Sequence, residues 1–263
     1  MKLHDVAPGR GFLWVRGAFS VLLRQPLGYA GLFTSCFFVL MLVGMVPIAG
    51  LMMFAAMPVA ALLFMIATRR VLGGLTVFPG TFAELKGAGR ERLLGLLKLG
   101  LACGAAMLAI LWLGDVVDGG ALESLHQYAG STDEMARHVA DPALQKGVLT
   151  RLGLMALLAI PAWHAPALVF WGRQSWARAL FFSSYACWRN KGAFIVYAFG
   201  WFSVWLLMAT LIGVMLSLFQ STLMVVVIVP LTLAFWTAIG ASLYFTFADC
   251  FEPEPPGAPP SAP

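Results

Sequence analysis

Three groups of side chains in this sequence are of types that do chemistry. The first is Pro161, His164 and Pro166, a histidine bracketed by prolines in an apolar stretch. Proline has no amide N–H, so Pro161 frees the carbonyl of Leu157 and Pro166 that of Ala162. An orphaned acceptor in hydrocarbon costs several kcal/mol unless water, a hydroxyl or a neighbouring helix meets it. A kink with free carbonyls and His164 beside them is a candidate midplane binding site, and a packing kink around a neutral histidine is the plainer reading. The second group is acidic: Asp115, Asp118, His126, Glu134, His138 and Asp141. Glu134 and His138 share a face at helical spacing, so a divalent-metal site is one reading and a solvated acidic loop the other. Neither a metal nor any other cofactor is assigned. The third group is basic and aromatic: Trp14, Arg16 and Arg24, then Trp176, Arg178, Arg189 and Lys191. These are candidate contacts for anionic headgroups. No HExxH, GxSxG, P-loop or CxxC motif occurs, and the chain is read as no enzyme. No Asp or Glu lies inside an apolar run, which disfavours ion-coupled transport.

The elements that must position these groups are membrane helices. Of 263 residues, 60% are hydrophobic and only 11% charged, too little charge for a soluble surface. The mean hydropathy is +0.86. The formal charge of +5 could suggest nucleic acid, but the basic residues flank apolar runs, as membrane-orienting residues do, so no nucleic-acid partner is read. Four cysteines without paired spacing imply no disulfide framework.

Residues 1–26 are read as a basic amphipathic interfacial helix. Arg16, Ser20 and Arg24 form one polar stripe, Phe12, Trp14, Phe19 and Leu22 cover much of the rest, and Pro26 ends the helix. Residues 27–248 are read as a six-span domain with spans near 27–46, 48–68, 93–114, 152–172, 193–219 and 222–248. Residues 71–92 form a surface loop with a short helix after Pro79. Lys98 can snorkel to the headgroups. The far-side segment 115–150 carries a capping box, Ser131 with Glu134, and an N-cap pair, Asp141 with Pro142. Residues 173–191 hold four cations, several aromatics and no acid, and read as a second surface helix. The proline-rich end, 249–263, is read as disordered. Fourteen of the seventeen Lys and Arg residues then lie on one side, with Arg137, Lys146 and Arg151 on the other. By the positive-inside rule both termini are cytoplasmic.

Residues 14–19 (WVRGAF) and 176–181 (WARALF) share Trp, Arg and Phe at one spacing, and each precedes an uncharged hairpin. The second helix of every hairpin carries an interior proline, Pro58, Pro161 or Pro230. This suggests surface helix plus hairpin as a repeated unit, against chance alignment of common membrane-edge residues. The stretches GFLWVRGAFSVLLRQPLGYAGLF, WHAPALVFWGRQSWARALFFSSYACWRNKGAF and SLYFTFADCF resemble a bacterial family of six-span inner-membrane proteins with no assigned biochemical function. The resemblance spans nearly the full length and is weakest over 115–150. It implies a helical bundle in the bacterial inner membrane and supplies no catalytic residues.

The expected fold is therefore an all-α integral membrane protein, a six-transmembrane-helix bundle with amphipathic helices on its cytoplasmic face. The first functional expectation is a non-catalytic component that engages anionic lipid, or an inner-membrane partner or second copy, through its basic aromatic surface helices. The second is a carrier or flippase-like protein for a lipid or uncharged hydrophobic substrate, using a cavity at the Pro161–Pro166 kink. The third is a membrane enzyme acting on lipid headgroups through the far-side acids and histidines.

Overall fold

The computed structural model describes residues 2–45, 49–125, 137–218 and 224–251. Its elements are α1 (Arg10–Arg24), α2 (Pro26–Val43), α3 (Ala49–Leu72), α4 (Gly80–Lys86), α5 (Arg90–Asp118), α6 (Ala121–Ser124), α7 (Pro142–Ala162), α8 (Ala165–Phe170), α9 (Trp176–Arg189), α10 (Lys191–Leu218) and α11 (Met224–Cys250). Among the described residues there is no strand, only one isolated bridge between Leu3 and Phe251. Six segments are long and apolar enough to cross a bilayer: α2, α3, α5, α7 with α8, α10 and α11. The fold is an all-α membrane bundle.

Several boundaries follow from local chemistry. Pro26 cannot donate to the preceding turn, so α1 stops at Arg24 and Pro26 opens α2. Asp141 caps α7 as its spacing to Pro142 suggests, its carboxylate accepting from the Ala143 amide at 2.8 Å. The paired Ser131 and Glu134 lie outside the described residues. Helices α5 and α7 extend to Asp118 and from Pro142, so the segment between them is shorter than 115–150. The tail boundary at 249 also moves. Asp249 and Cys250 belong to α11 and Phe251 pairs with Leu3, because Arg10 and the N-terminal segment supply polar partners there.

Helix α3 is the centre of the bundle. Residues 62–68 are buried without a break, which a helix achieves only when neighbours surround it. It packs on α5, α11, α8, α2 and α4. Against α5 the backbones meet directly: a β-carbon on Gly100 would overlap the Ala55 carbonyl, and one on Gly104 would crowd that of Leu51. With lipid as apolar as leucine, such small-residue contacts are what brings membrane helices together. Helices α2 and α10 sit at the perimeter with most of their surface open.

The surface helices follow one rule. Helix α4, which precedes the α5–α7/α8 hairpin, packs on α3 of the hairpin before it. Helix α9, which precedes α10–α11, packs on α7 and α8. Helix α1, which precedes α2–α3, packs on α10 and α11. Each surface helix thus packs on the hairpin before its own, and α1 packs on the last one, so the three contacts run around the bundle. Both described ends of the chain lie on this face, called the basic face below.

Candidate functional site

The fourth span breaks at Trp163 and His164, between α7 and α8. The freed groups are met by α9. The His164 amide donates to the Ser183 hydroxyl at 2.9 Å, and that hydroxyl donates to the Ile160 carbonyl at 3.1 Å. The Cys187 thiol reaches the same carbonyl at 3.7 Å. One serine therefore replaces the helical bond from His164 to Ile160 with two bonds of its own. The rescued carbonyl is that of Ile160, whereas the proline positions point to Leu157 and Ala162.

His164 is fully enclosed. Its ring sits 5.8, 6.0 and 5.5 Å from the ring centres of Phe194, Phe247 and Phe251. Neither ring nitrogen has a hydrogen-bond partner among the described residues. Phe194 is in the first turn of α10, and Phe247 and Phe251 are at the end of α11, so His164 lies beneath the basic face and not at the midplane. The span begins at Pro142, ten residues before the expected start, which puts residue 164 about 33 Å along the segment at 1.5 Å per residue.

The kink does border a cavity. A space of about 270 Å³, almost wholly apolar, lies between α3, α5, α7 and α8, with Met57, Pro58, Met107, Met155, Trp163 and Pro166 in its wall. Met57 is exposed at the perimeter, so the space reaches the lipid-facing side. His164 and Pro161 are not in the wall.

The basic and aromatic candidates divide in two. Trp14 is 1% exposed and packs among Phe194 and Tyr197, its indole donating to Asp249 at 2.6 Å. It is not a headgroup contact. The buried stripe of α1, Gly11, Trp14, Val15, Ala18, Val21 and Leu22, faces α10 and α11. An apolar helix face looks the same in sequence whether lipid or protein covers it. Arg189 is exposed but forked onto Asp5. That ion pair holds the Asp5 carboxyl below its ordinary value and the Arg189 guanidinium above its own. Arg10, likewise, is held up by Asp249, with a hydrogen bond of 2.7 Å. By contrast Arg16, Arg24 and Arg178 are exposed and make no ion pair among the described residues. Lys191 rests over the Trp188 ring at 5.0 Å.

Helix α9 has two unlike sides. Ala179, Ser183, Ala186 and Cys187 form a buried stripe of small residues against α7 and α8. Outward it presents Arg178, Tyr185, Phe181 at 66% exposure and Trp188 at 71%, whereas Trp176, seven residues before the buried Ser183, opens the helix on its inner side at 37% exposure. Phe182, which falls in the sector of Arg178 and Arg189, is exposed as well.

The acidic group is taken up differently. Arg151, from α7, donates to Asp118 and to Asp115 at the end of α5, each at 2.5 Å. Those carboxylates anchor an arginine, and among the described residues no cluster of three metal-ligating side chains occurs. Glu134 and His126 lie outside the described residues. Sequence reasoning did not pair Arg151 with these acids, although the spacing of Asp115 and Asp118 on one helix face was a usable signal.

No protein-family profile matches the chain, and no solved structure matches it. One curated protein does: a sequence of Burkholderia thailandensis named "Probable inner membrane protein", 32% identical over 269 residues, covering 98% of this chain and 97% of its own.

Proposed function

Because the chain belongs to the family of that probable inner membrane protein of Burkholderia thailandensis, we propose that it is a non-catalytic component of the inner membrane whose basic face lies in the cytoplasm and engages anionic lipid headgroups. The observation that carries this reading is the outward side of α9, where exposed Phe181, Phe182, Tyr185 and Trp188 share a face with Arg178 while the inner side is packed. Aromatic rings settle at headgroup depth, and a cation among them meets phosphate. Arg16 and Arg24 on α1 add unpaired cations on the same face. Trp14 and Arg189 leave the set, since each is committed to a carboxylate.

The test is a triple variant, Arg16→Gln, Arg24→Gln and Arg178→Gln, compared with wild type in nanodiscs of mixed phosphatidylethanolamine and phosphatidylglycerol. Spin-labelled lipids report preference in the boundary layer. The variant is expected to lose its preference for phosphatidylglycerol while keeping its melting temperature. An unchanged preference refutes the reading. A cysteine at position 178, labelled from one side of the membrane only, tests orientation: labelling from the periplasmic side would overturn the cytoplasmic placement.

The apolar cavity beside Trp163 and Pro166 favours a second reading, a carrier for a lipid or another uncharged hydrophobic substrate. Its mouth toward the bilayer and its flexible methionines suit such a guest. Ala159→Phe fills the space, and loss of a bound hydrophobic molecule in that variant alone would support it.

A further inference from the structure

We propose that a cavity at the start of α5 is a binding site for a phosphate-bearing lipid headgroup. This rests on the anionic-lipid reading above and assigns it a specific place. The cavity has a volume of about 650 Å³, with Arg90, Arg92 and Lys98 of α5 on one wall, Arg173 of the α8–α9 loop on the other, and Trp176 beside it. Glu91 is the sole acid in the wall. None of the four cations makes an ion pair among the described residues, although Arg92 also covers the Phe170 ring at 6.0 Å. Four like charges gathered at a membrane edge repel one another, and a bound anion is the natural counterweight.

Two further features point the same way. Arg173 has φ of 51°, in the left-handed region that residues with a β-carbon avoid. It follows the end of α8, where the Gln174 amide returns to the Leu168 carbonyl at 3.1 Å. Glycine is the usual occupant of such a position because it has no β-carbon to clash. An arginine there adopts a costly backbone to place its charge at the cavity. The second feature is depth. Lys98 is eight residues from Arg90, so the cations span about 12 Å along the axis of α5. Leu94 and Leu97, on the same helix, are exposed toward the bilayer. A ligand with phosphate at one end and acyl chains at the other suits both. The uncapped start of α5, whose N-cap Gly89 offers no side chain, adds free amides to this wall.

The test uses the full chain and native mass spectrometry, with phosphatidylglycerol, cardiolipin and phosphatidylethanolamine as probes. Wild type is expected to retain an anionic phospholipid in fixed ratio. The double variant Arg90→Gln/Arg173→Gly is expected to weaken that retention at least about tenfold, about 1.4 kcal/mol, with no loss of melting temperature when both proteins are delipidated, because glycine relieves the left-handed backbone. Retention that is unchanged in the double variant but reduced in the Arg16/Arg24/Arg178 triple overturns the cavity and leaves the general reading standing. Retention unchanged in both overturns both. A fall in the melting temperature of the fully delipidated protein for Arg173→Gly alone makes Arg173 structural and overturns its role, since lipid loss by itself already lowers the melting temperature of the lipid-bound form. Displacement of the lipid by equimolar inorganic phosphate or glycerol phosphate overturns a lipid ligand in favour of a soluble one.

Discussion

Replacing Arg151 with methionine should destabilise the protein at the face opposite the basic one, and the geometry sets the scale. The Asp118 side chain is 0% exposed, Arg151 5% and Asp115 53%. Gly114 and Gly147 leave the room in which the pair sits: a β-carbon on Gly114 would meet the Arg151 guanidinium, and one on Gly147 would meet the Asp118 carboxylate. Removing the arginine therefore leaves the Asp118 carboxylate without its cation, with the Gly120 amide still donating to it at 2.9 Å, which costs about 1–3 kcal/mol. Asp115 can return to water, so Asp115→Asn should cost no more than about 1 kcal/mol. The double variant Arg151→Met/Asp118→Leu removes both charges and should recover most of the single-variant loss, since the penalty lies in the unpaired charge rather than in the missing bond. Unfolding in mixed micelles with rising denaturing detergent measures all four proteins on one scale. The reasoning fails if Asp115→Asn costs as much as Arg151→Met, or if the double variant is no better than Arg151→Met alone.

Gly100→Leu should lower folded yield on size-exclusion chromatography, by overpacking worth at least about 1–3 kcal/mol, because a side chain there meets the α3 backbone at Ala55. Gly153→Leu, whose β-carbon position is open, is the matched control and should behave as wild type. His164→Leu should leave the melting temperature unchanged or raise it, since the enclosed ring nitrogens have no partner to lose; a clear drop would mean a buried partner such as water. The Asp5–Arg189 pair predicts a pH response. The folded value of Asp5 lies below its ordinary 3.8, so the contribution is complete above 3.8 and is lost as pH falls through the lower folded value. The protection factor of the Val6 amide, whose N–H is bonded to the Asn190 side chain, should fall only in strong acid; a loss of protection near neutral pH would contradict this.

How much was legible depends on how far apart the deciding residues are. The six spans follow from uncharged runs, because a bilayer admits helices of a minimum apolar length whatever their neighbours. The stop at Pro26 and the cap at Asp141 are equally local, as each needs only a few adjacent residues. The two surface helices and their shared Trp-Arg-Phe spacing were visible for the same reason. What covers the apolar side of α1 was not, since Trp14 binds an acid 235 residues away. The rescue of the broken fourth span by Ser183 is likewise a contact between helices, and so is the role of Gly100 and Gly104, a spacing that shows closeness only once α3 is against it.

The sequence alone determined the medium, the number of spans and the segregation of positive charge, because these are sums over local composition that water and lipid read directly. The tertiary structure decided which charges are spent and which remain. Arg151, Arg10 and Arg189 find carboxylates from distant segments, whereas Arg90, Arg92, Lys98 and Arg173 are brought around one cavity without them. A charge acquires its role from what lies within a few ångströms, and in a helical bundle those neighbours come from other helices.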